Sequence, residues 1–89
     1  MTGFVYVLGC DASGHYRTYV GWTVDLERRL TEHNSGTGTG AKSTRGRVWG
    51  LIYAERLSSR NEAMSREWYL KRDRRLRRQL ALSAQGHSF

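Results

Sequence analysis

Apolar residues near the start of the chain form a short run that predicts a β-strand. Residues 4–8 read Phe-Val-Tyr-Val-Leu, and such β-branched and aromatic side chains favour strands. Turn-forming residues follow between Cys10 and Gly14, and a second aromatic and apolar stretch covers residues 16–22. The pattern predicts a hairpin whose strands are joined by a long loop.

The hydrophobic period then changes and predicts a helix over residues 24–33, with Thr23 as its N-cap. One face of this helix carries residues at i, i+4 and i+7: Leu26, Leu30 and His33. Arg29 precedes His33 by one turn, so the two side chains project to the same side.

The second half of the chain predicts a loop, a strand and two helices. Residues 35–46 are rich in Gly, Ser and Thr and predict the loop, and residues 48–57 predict the third strand. Ser59 and Glu62 form a capping box that opens a helix extending to about Arg72. The arginine-rich segment 72–80 has leucines at i, i+4 and predicts a basic amphipathic helix.

Length and charge narrow the class of protein. The 89 residues suit one small domain, expected over residues 1–83 with a frayed tail at 84–89. No apolar run is long enough for a membrane span, and the single Cys10 excludes an internal disulfide, so we expect a cytoplasmic protein without membrane contact. A net charge of +7 favours a nucleic-acid partner, although a solvated basic surface would have the same composition.

Four residues in this pattern are candidates for chemistry. Tyr6 and Tyr19 lie in the hairpin strands, Arg29 follows on the first helix, and Glu67 lies midway along the second. Strand tyrosines usually pack across strands, and helical arginines are usually solvated. Glu67 is harder to explain as a solvent-exposed surface residue, because it shares the helical spacing of Ala63 and Leu70. Burying a carboxylate on an apolar face costs free energy unless the carboxylate is paired or bound to a metal.

In combination these segments resemble the GIY-YIG nuclease superfamily, in its small stand-alone bacterial branch. The two name-giving motifs are represented by Phe4-Val5-Tyr6 and by Tyr19-Val20-Gly21-Trp22-Thr23. Residues 26–34 resemble the helix motif, 62–71 the carboxylate motif and 40–46 the loop of the branch. The resemblance implies an α+β fold, a three-stranded antiparallel sheet flanked by helices in the order ββαβαα. The gap between the tyrosines is a few residues longer than usual, and a register shift there would turn Tyr19 away from the site.

The resemblance also implies a reaction. Glu67 would bind one Mg²⁺ or Mn²⁺, and Arg29 would bind a phosphate oxygen. Tyr6 would be the general base, with Tyr19 as the alternative base or a phosphate contact. A phenol needs its pKa lowered for this role, and the expected cations are Arg29, His33 and the metal. His33 would orient a tyrosine or the water.

The implied partner is DNA. The residues expected to contact it are Gly21, Lys42, Thr44, Arg45, Lys71, Arg74 and Arg77. The predicted function is that of a metal-dependent DNA endonuclease, structure-selective and acting in repair or recombination, with a protein partner as a possible source of specificity. The alternative is a non-catalytic basic module that binds nucleic acid, or a domain associated with RNA or protein.

Overall fold

The computed structural model describes residues 2–12, 15–34 and 49–84. These residues form three strands and three helices in the order ββαβαα, which confirms the predicted α+β class. The elements are β1 (Gly3–Ala12), β2 (His15–Thr23), α1 (Leu26–Asn34), β3 (Gly50–Leu57), α2 (Arg60–Arg72) and α3 (Arg74–Ala84). Helix α3 extends one residue past the predicted domain boundary, and the rest of the predicted tail lies outside the described residues. Among the described helices, none combines the length and apolar character that a bilayer-spanning segment needs.

The β1–β2 hairpin is longer than predicted. Pairing continues to Ala12 opposite His15, so only two residues separate the strands and the prediction of a long loop from residue 10 to 14 is wrong. Tyr16 explains part of the difference, because its ring packs over Gly9 of β1, in the space that a Cβ at that position would occupy. This cross-strand packing lengthens the ladder beyond the run of apolar residues that predicted it.

Strand β1 is the centre of the sheet, with antiparallel neighbours on both sides in the order β2-β1-β3. The β1–β3 register shifts between Val7, opposite Tyr53, and Leu8, opposite Leu51. Ile52 is therefore the extra residue of a β-bulge. Strands β2 and β3 form the two edges of the sheet.

Side-chain alternation along β1 divides the core between the two faces of the sheet. On one face α2 and α3 pack against the strands, and the buried residues are Val5, Val7, Val20 and Leu70. On the other face α1 contributes Leu26 and Leu30, and the buried residues are Tyr6, Leu8, Cys10 and Trp49. The predicted Leu26–Leu30 stripe is confirmed.

The helix starts are set by side chains that cap the first turn. Helix α1 begins at Leu26, two residues later than predicted, because the Asp25 carboxylate accepts a hydrogen bond from the Arg28 N–H at 3.1 Å. Asp25 thus takes the capping position predicted for Thr23. Ser59 caps α2 as predicted and accepts from the Glu62 N–H at 3.2 Å.

Candidate active site

Tyr6 is the buried centre of the candidate site. Its side chain is 1% exposed and points to the α1 face, and its partner on β2 is Gly21. A Cβ at position 21 would lie 2.5 Å from the Tyr6 hydroxyl and 2.7 Å from the ring carbon that carries it. The phenol therefore crosses over Gly21 and brings its hydroxyl to the edge strand. Gly21 is predicted to contact DNA; in the structure the space where a Cβ would lie is filled by the Tyr6 side chain.

Tyr19 lies on the same face as Tyr6. It pairs with Leu8, and its ring centroid is 6.4 Å from that of Tyr6. The buried Trp49 packs its ring edgewise against Tyr19, with centroids 6.4 Å apart. The longer gap between the tyrosines does not turn Tyr19 away, because the additional residues extend both strands without changing their alternation.

Helix α1 brings Arg29 and His33 to Tyr6. His33 is 2% exposed, and its Nε2 lies 2.9 Å from the Tyr6 hydroxyl oxygen. Its ring centroid is 5.0 Å from that of Tyr19. The Arg29 guanidinium also acts on Tyr6, because its contact and its charge lower the pKa of the phenol. The i, i+4 pair predicted from the sequence thus meets at one phenol.

The pKa of Tyr6 is shifted in the direction opposite to the one expected. Burial raises it to about 12, and the contact with Arg29 lowers it only in part. The nearby Tyr19 and Glu67 add repulsion that raises it further. The expectation that cations hold this pKa below its usual value is wrong for the protein alone, because desolvation outweighs the Arg29 guanidinium.

His33 is a neutral acceptor rather than a cation. Burial and the charge of Arg29 lower the pKa of His33, against an opposing effect of Glu32. A neutral imidazole with its proton on Nδ1 would accept the Tyr6 O–H at Nε2. Tyr6 thus lies between an acceptor, His33, and a cation, Arg29.

Arg29 connects Tyr6 to an open cleft. Its Nη1 lies 3.1 Å from Glu32 Oε1, and its side chain is 31% exposed. The cleft, of about 450 Å³, is lined by Arg29 together with Arg28 and Arg60. A guanidinium has five N–H donors in one plane. The ion pair with Glu32 and the contact with Tyr6 leave donors for an anion that enters the cleft.

Glu67 approaches the site from the opposite layer. It lies on α2 between the buried Ala63 and Leu70, and its side chain is 22% exposed. Its Oε2 is 3.4 Å from Lys71 Nζ. Its charge acts on Tyr6, since it raises the pKa of that phenol. The predicted acid is therefore half-buried and electrostatically coupled to the predicted base.

The residues present fit a solvated hard cation better than a protein cage. Within residues 2–12, 15–34 and 49–84, no three His, Cys, Asp or Glu side chains group to hold a metal. Mg²⁺ commonly retains several waters and binds through one or two carboxylates together with substrate phosphates. Glu67 offers one such carboxylate. Its pair with the exposed Lys71 is weak enough for a cation to displace.

The predicted nucleic-acid contacts fall into separate groups. Lys71 pairs with Glu67 at the candidate site. Arg74 and Arg77 line a different cavity, between α3 and β2. Three others, Lys42, Thr44 and Arg45, lie outside the described residues.

Two residues near the site were missed at the level of sequence. Glu32 binds Arg29 and Arg28 at 3.1 and 3.3 Å, and the i, i+3 and i, i+4 spacings on α1 could have indicated it. Trp49 closes the site beside Tyr19. Its place depends on how β3 enters the sheet, and no local pattern signals that.

Comparison with known proteins finds one domain family and several UPF0213 proteins that are similar in sequence to this chain. Residues 2–79 match the model of the GIY-YIG catalytic domain. A UPF0213 protein of Streptococcus pneumoniae is 48% identical over 81 residues, covering 90% of this chain and 77% of its own. A UPF0213 protein of Halobacterium salinarum is 47% identical over 68 residues, which cover 75% of this chain and 82% of the relative. The solution structure of UPF0213 protein BH0048 from Bacillus halodurans superposes on this chain with a TM-score of 0.51 at 39% sequence identity. The superposition covers 99% of this chain and 89% of the solved structure.

Replacement of Gly21 by alanine should displace the Tyr6 hydroxyl from Arg29 and His33. Because the new Cβ would lie 2.5 Å from that hydroxyl, we expect the free energy of unfolding in urea to fall by about 1–3 kcal/mol. Gly50→Ala is the matched control, since no atom lies within 4 Å of its Cβ; its change should stay within about 0.5 kcal/mol. Equal losses in the two variants would contradict the role given to Gly21.

The lowered pKa of His33 predicts a loss of stability in mild acid. Below its usual pKa of about 6.5, the unfolded chain binds a proton at this residue before the folded protein does. The contribution of His33 is therefore complete above that pH and is lost as the pH falls towards the folded-state pKa. Urea titrations from neutral to acidic pH should show a shallower decline for His33→Gln than for the wild type. An NMR titration that places the folded pKa of His33 above its usual value would refute the assignment.

Proposed function

Since the chain belongs to the GIY-YIG catalytic-domain family, a nuclease-type family, we propose that it is a metal-dependent DNA endonuclease that hydrolyses phosphodiester bonds. The observation that carries the proposal is the meeting of Arg29 and His33 at the buried hydroxyl of Tyr6. An acceptor, a fixed cation and a titratable hydroxyl on one atom are the parts needed to move a proton beside a phosphate.

Tyr6 takes the proton of the attacking water and passes its own proton to His33. A phenol with a pKa of about 12 is protonated at neutral pH, so it cannot act as a base that has already lost its proton. In the relay, one proton moves from water to the Tyr6 oxygen and another from that oxygen to His33 Nε2. The water oxygen forms the new bond to phosphorus as the bond to the leaving oxygen breaks. The low pKa of His33 keeps this acceptor free at neutral pH.

Arg29 stabilises negative charge on both sides of the reaction. Its contact with Tyr6 favours charge on the phenol oxygen, because that contact lowers the pKa of Tyr6. Its remaining donors, at the cleft, suit a nonbridging oxygen of the phosphate. One guanidinium therefore orients the base and binds the group that is attacked. Tyr19, on the same face, is proposed as a second contact to the phosphate.

Glu67 is the proposed ligand of a single Mg²⁺ or Mn²⁺. When bound, the cation supplies Lewis-acid neutralisation of the charge on the phosphate and the leaving oxygen. Glu67 holds its position through the burial of Ala63 and Leu70 on the same helical face. Lys71, once released from Glu67, has its ammonium free for a backbone phosphate.

The net charge of the chain supports the proposed class of substrate. A net charge of +7 supports a polyanionic substrate, and DNA is the proposed one. We further propose structure-selective cleavage in DNA repair or recombination, a cytoplasmic location and a protein partner that contributes specificity. Gly21 and the lysine and arginine side chains of residues 42–45 remain proposed contacts of the substrate.

A non-catalytic nucleic-acid-binding module is the second candidate. The observation in its favour is the raised pKa of Tyr6, since a phenol that holds its proton tightly is a weak base. Under this alternative the arginines of α3 bind the polymer, and the buried phenol only orders the core. The two candidates differ in whether any phosphodiester bond is broken.

Substitution of Glu67 by glutamine should abolish cleavage and preserve binding. We expect the rate with Mg²⁺ or Mn²⁺ on labelled single strands, duplexes, flaps and junctions to fall at least about 10²-fold, because the only proposed protein ligand is lost. Affinity for the same DNA in EDTA should stay close to that of wild type. Glu27→Gln, an exposed acid on α1, is the control for the change in net charge and should cleave normally. Wild-type protein that binds all four substrates and cleaves none would favour the binding module.

Substitution of Arg29 by alanine should impair catalysis far more than affinity. Loss of one fixed donor at a developing charge typically costs ~10²–10³ in rate, whereas one phosphate contact is a small part of total binding. Single-turnover rates and affinities in EDTA separate the two effects. Arg56→Ala, an exposed arginine of β3, is the matched control. Intact cleavage in Arg29→Ala would remove this residue from the site.

A further inference from the structure

A second basic cavity lies between helix α3 and the edge strand β2. It has a volume of about 440 Å³, and α3 contributes Arg74, Arg77 and Arg78 to its lining. Tyr16 and Thr18 contribute from β2, and none of the lining residues is acidic. We refer to it as the α3 arginine cavity. Its composition sets it apart from the cleft beside Arg29, where Asp25 and Glu32 balance the arginines.

Arg77 is incompletely satisfied in this cavity. Its Nη2 donates to the Lys71 carbonyl oxygen at 2.8 Å, which fixes the side chain at the end of α2. Its Nε is buried, and of the buried side-chain nitrogen and oxygen atoms in the described ranges it alone has no hydrogen-bond partner. A buried donor on a charged group is costly to leave unpaired. An anion in the cavity would supply the missing acceptor.

Arg74 and Arg78 add charge without compensation. They are one turn apart on α3 and both are exposed, so they project from the same side of the helix. Within the described part of the chain, none of the three cavity arginines forms a side-chain ion pair. Like charges on one helical face repel each other. The arrangement is favourable once a shared anion lies between them.

The position of the cavity indicates how a nucleic acid would reach it. The cavity lies on the sheet face covered by α2 and α3, whereas Tyr6 and Tyr19 lie on the α1 face. Thr18 lines this cavity and also a smaller one at the β2 edge, which Tyr19 and Trp49 line from the other side. A strand that passes over β2 would therefore contact both faces.

The separation along β2 suits neighbouring phosphates of one strand. Thr18 and Gly21 are three residues apart, or about 10 Å along a β-strand. The cavity is thus within a few nucleotides of the Tyr6 hydroxyl, which lies over Gly21, along a strand that passes over β2.

We infer that the α3 arginine cavity is a second phosphate-binding site, which holds a backbone phosphate of the nucleic acid a few nucleotides from the bond that is cleaved. The inference rests on the proposed function for its substrate, and it adds a contact on the face of the sheet away from the tyrosines. It makes β2 the edge around which the bound strand turns.

The test compares two double variants of equal charge. Arg74→Gln/Arg78→Gln removes two cavity arginines, and Arg56→Gln/Arg75→Gln removes two exposed arginines that line none of the cavities described above. Arg77 is left intact because it supports the end of α2. Affinity for a labelled DNA strand is measured in EDTA over a range of salt concentrations. The cavity variant should lose about tenfold or more in affinity, and its log–log salt slope should become shallower by about 0.7–0.9, the contribution of one phosphate. Equal effects in the two variants would overturn the inference.

Inorganic phosphate distinguishes the sources of the anion. The Nε–H resonance of Arg77, followed by ¹⁵N NMR, should shift with phosphate in the wild type and much less in the cavity variant. A shift with phosphate but no selective loss of DNA affinity would mean a site for free phosphate and would refute the nucleic-acid assignment. Absence of any shift together with equal DNA affinities would refute the site itself.

Failure of this inference is separable from failure of the proposed enzyme, because affinity in EDTA requires no hydrolysis. If the wild type never cleaves DNA and the cavity variant alone loses affinity, the second phosphate site is supported and the nuclease function is not. A protein that cleaves DNA and shows equal losses in both double variants keeps the nuclease function without it.

Discussion

The passage of the Tyr6 ring over Gly21 is the constraint on which the candidate site depends. A phenol at the centre of a sheet would normally end among apolar side chains, with its hydroxyl unsatisfied. Because position 21 has no Cβ, the hydroxyl reaches the edge of the sheet, where α1 supplies Arg29 and His33. Glu67, on the opposite layer, also acts on this hydroxyl, because its charge raises the pKa of Tyr6. Packing and chemistry are therefore coupled at one backbone position.

The position of β2 at the edge of the sheet also determines where the two basic openings lie. An unpaired strand edge is usually a liability, because its free backbone groups invite aggregation. Here the edge separates two basic openings, the cleft beside Arg29 and the α3 arginine cavity, and a polyanion bound at both would cover it. The positive charge concentrated there also disfavours the approach of another copy of the chain.

The elements that could be predicted from sequence are those specified by local patterns. The order ββαβαα, the Ser59 cap and the Leu26–Leu30 face depend on residues within a few turns of each other, and all are confirmed. The length of the hairpin could not be predicted, because it depends on Tyr16 packing across to Gly9. The start of α1 was misplaced because Thr23 and Asp25 can both cap a helix, and Asp25, the residue with the stronger N-cap preference, takes the position.

The electrostatics of the site were the least predictable feature, because desolvation depends on how deeply each group is buried. Residue types alone suggested a phenol activated by cations, whereas burial raises the pKa of Tyr6 and lowers that of His33. Each shift alone opposes the charged form, but in the proposed relay Tyr6 receives a proton from water as it passes its own to His33 Nε2, 2.9 Å away. Tyr6 therefore stays neutral, and the desolvation that raises its pKa does not oppose the transfer. The burial that makes Tyr6 a poor base in isolation thus favours a concerted transfer over a separate ionisation of the phenol.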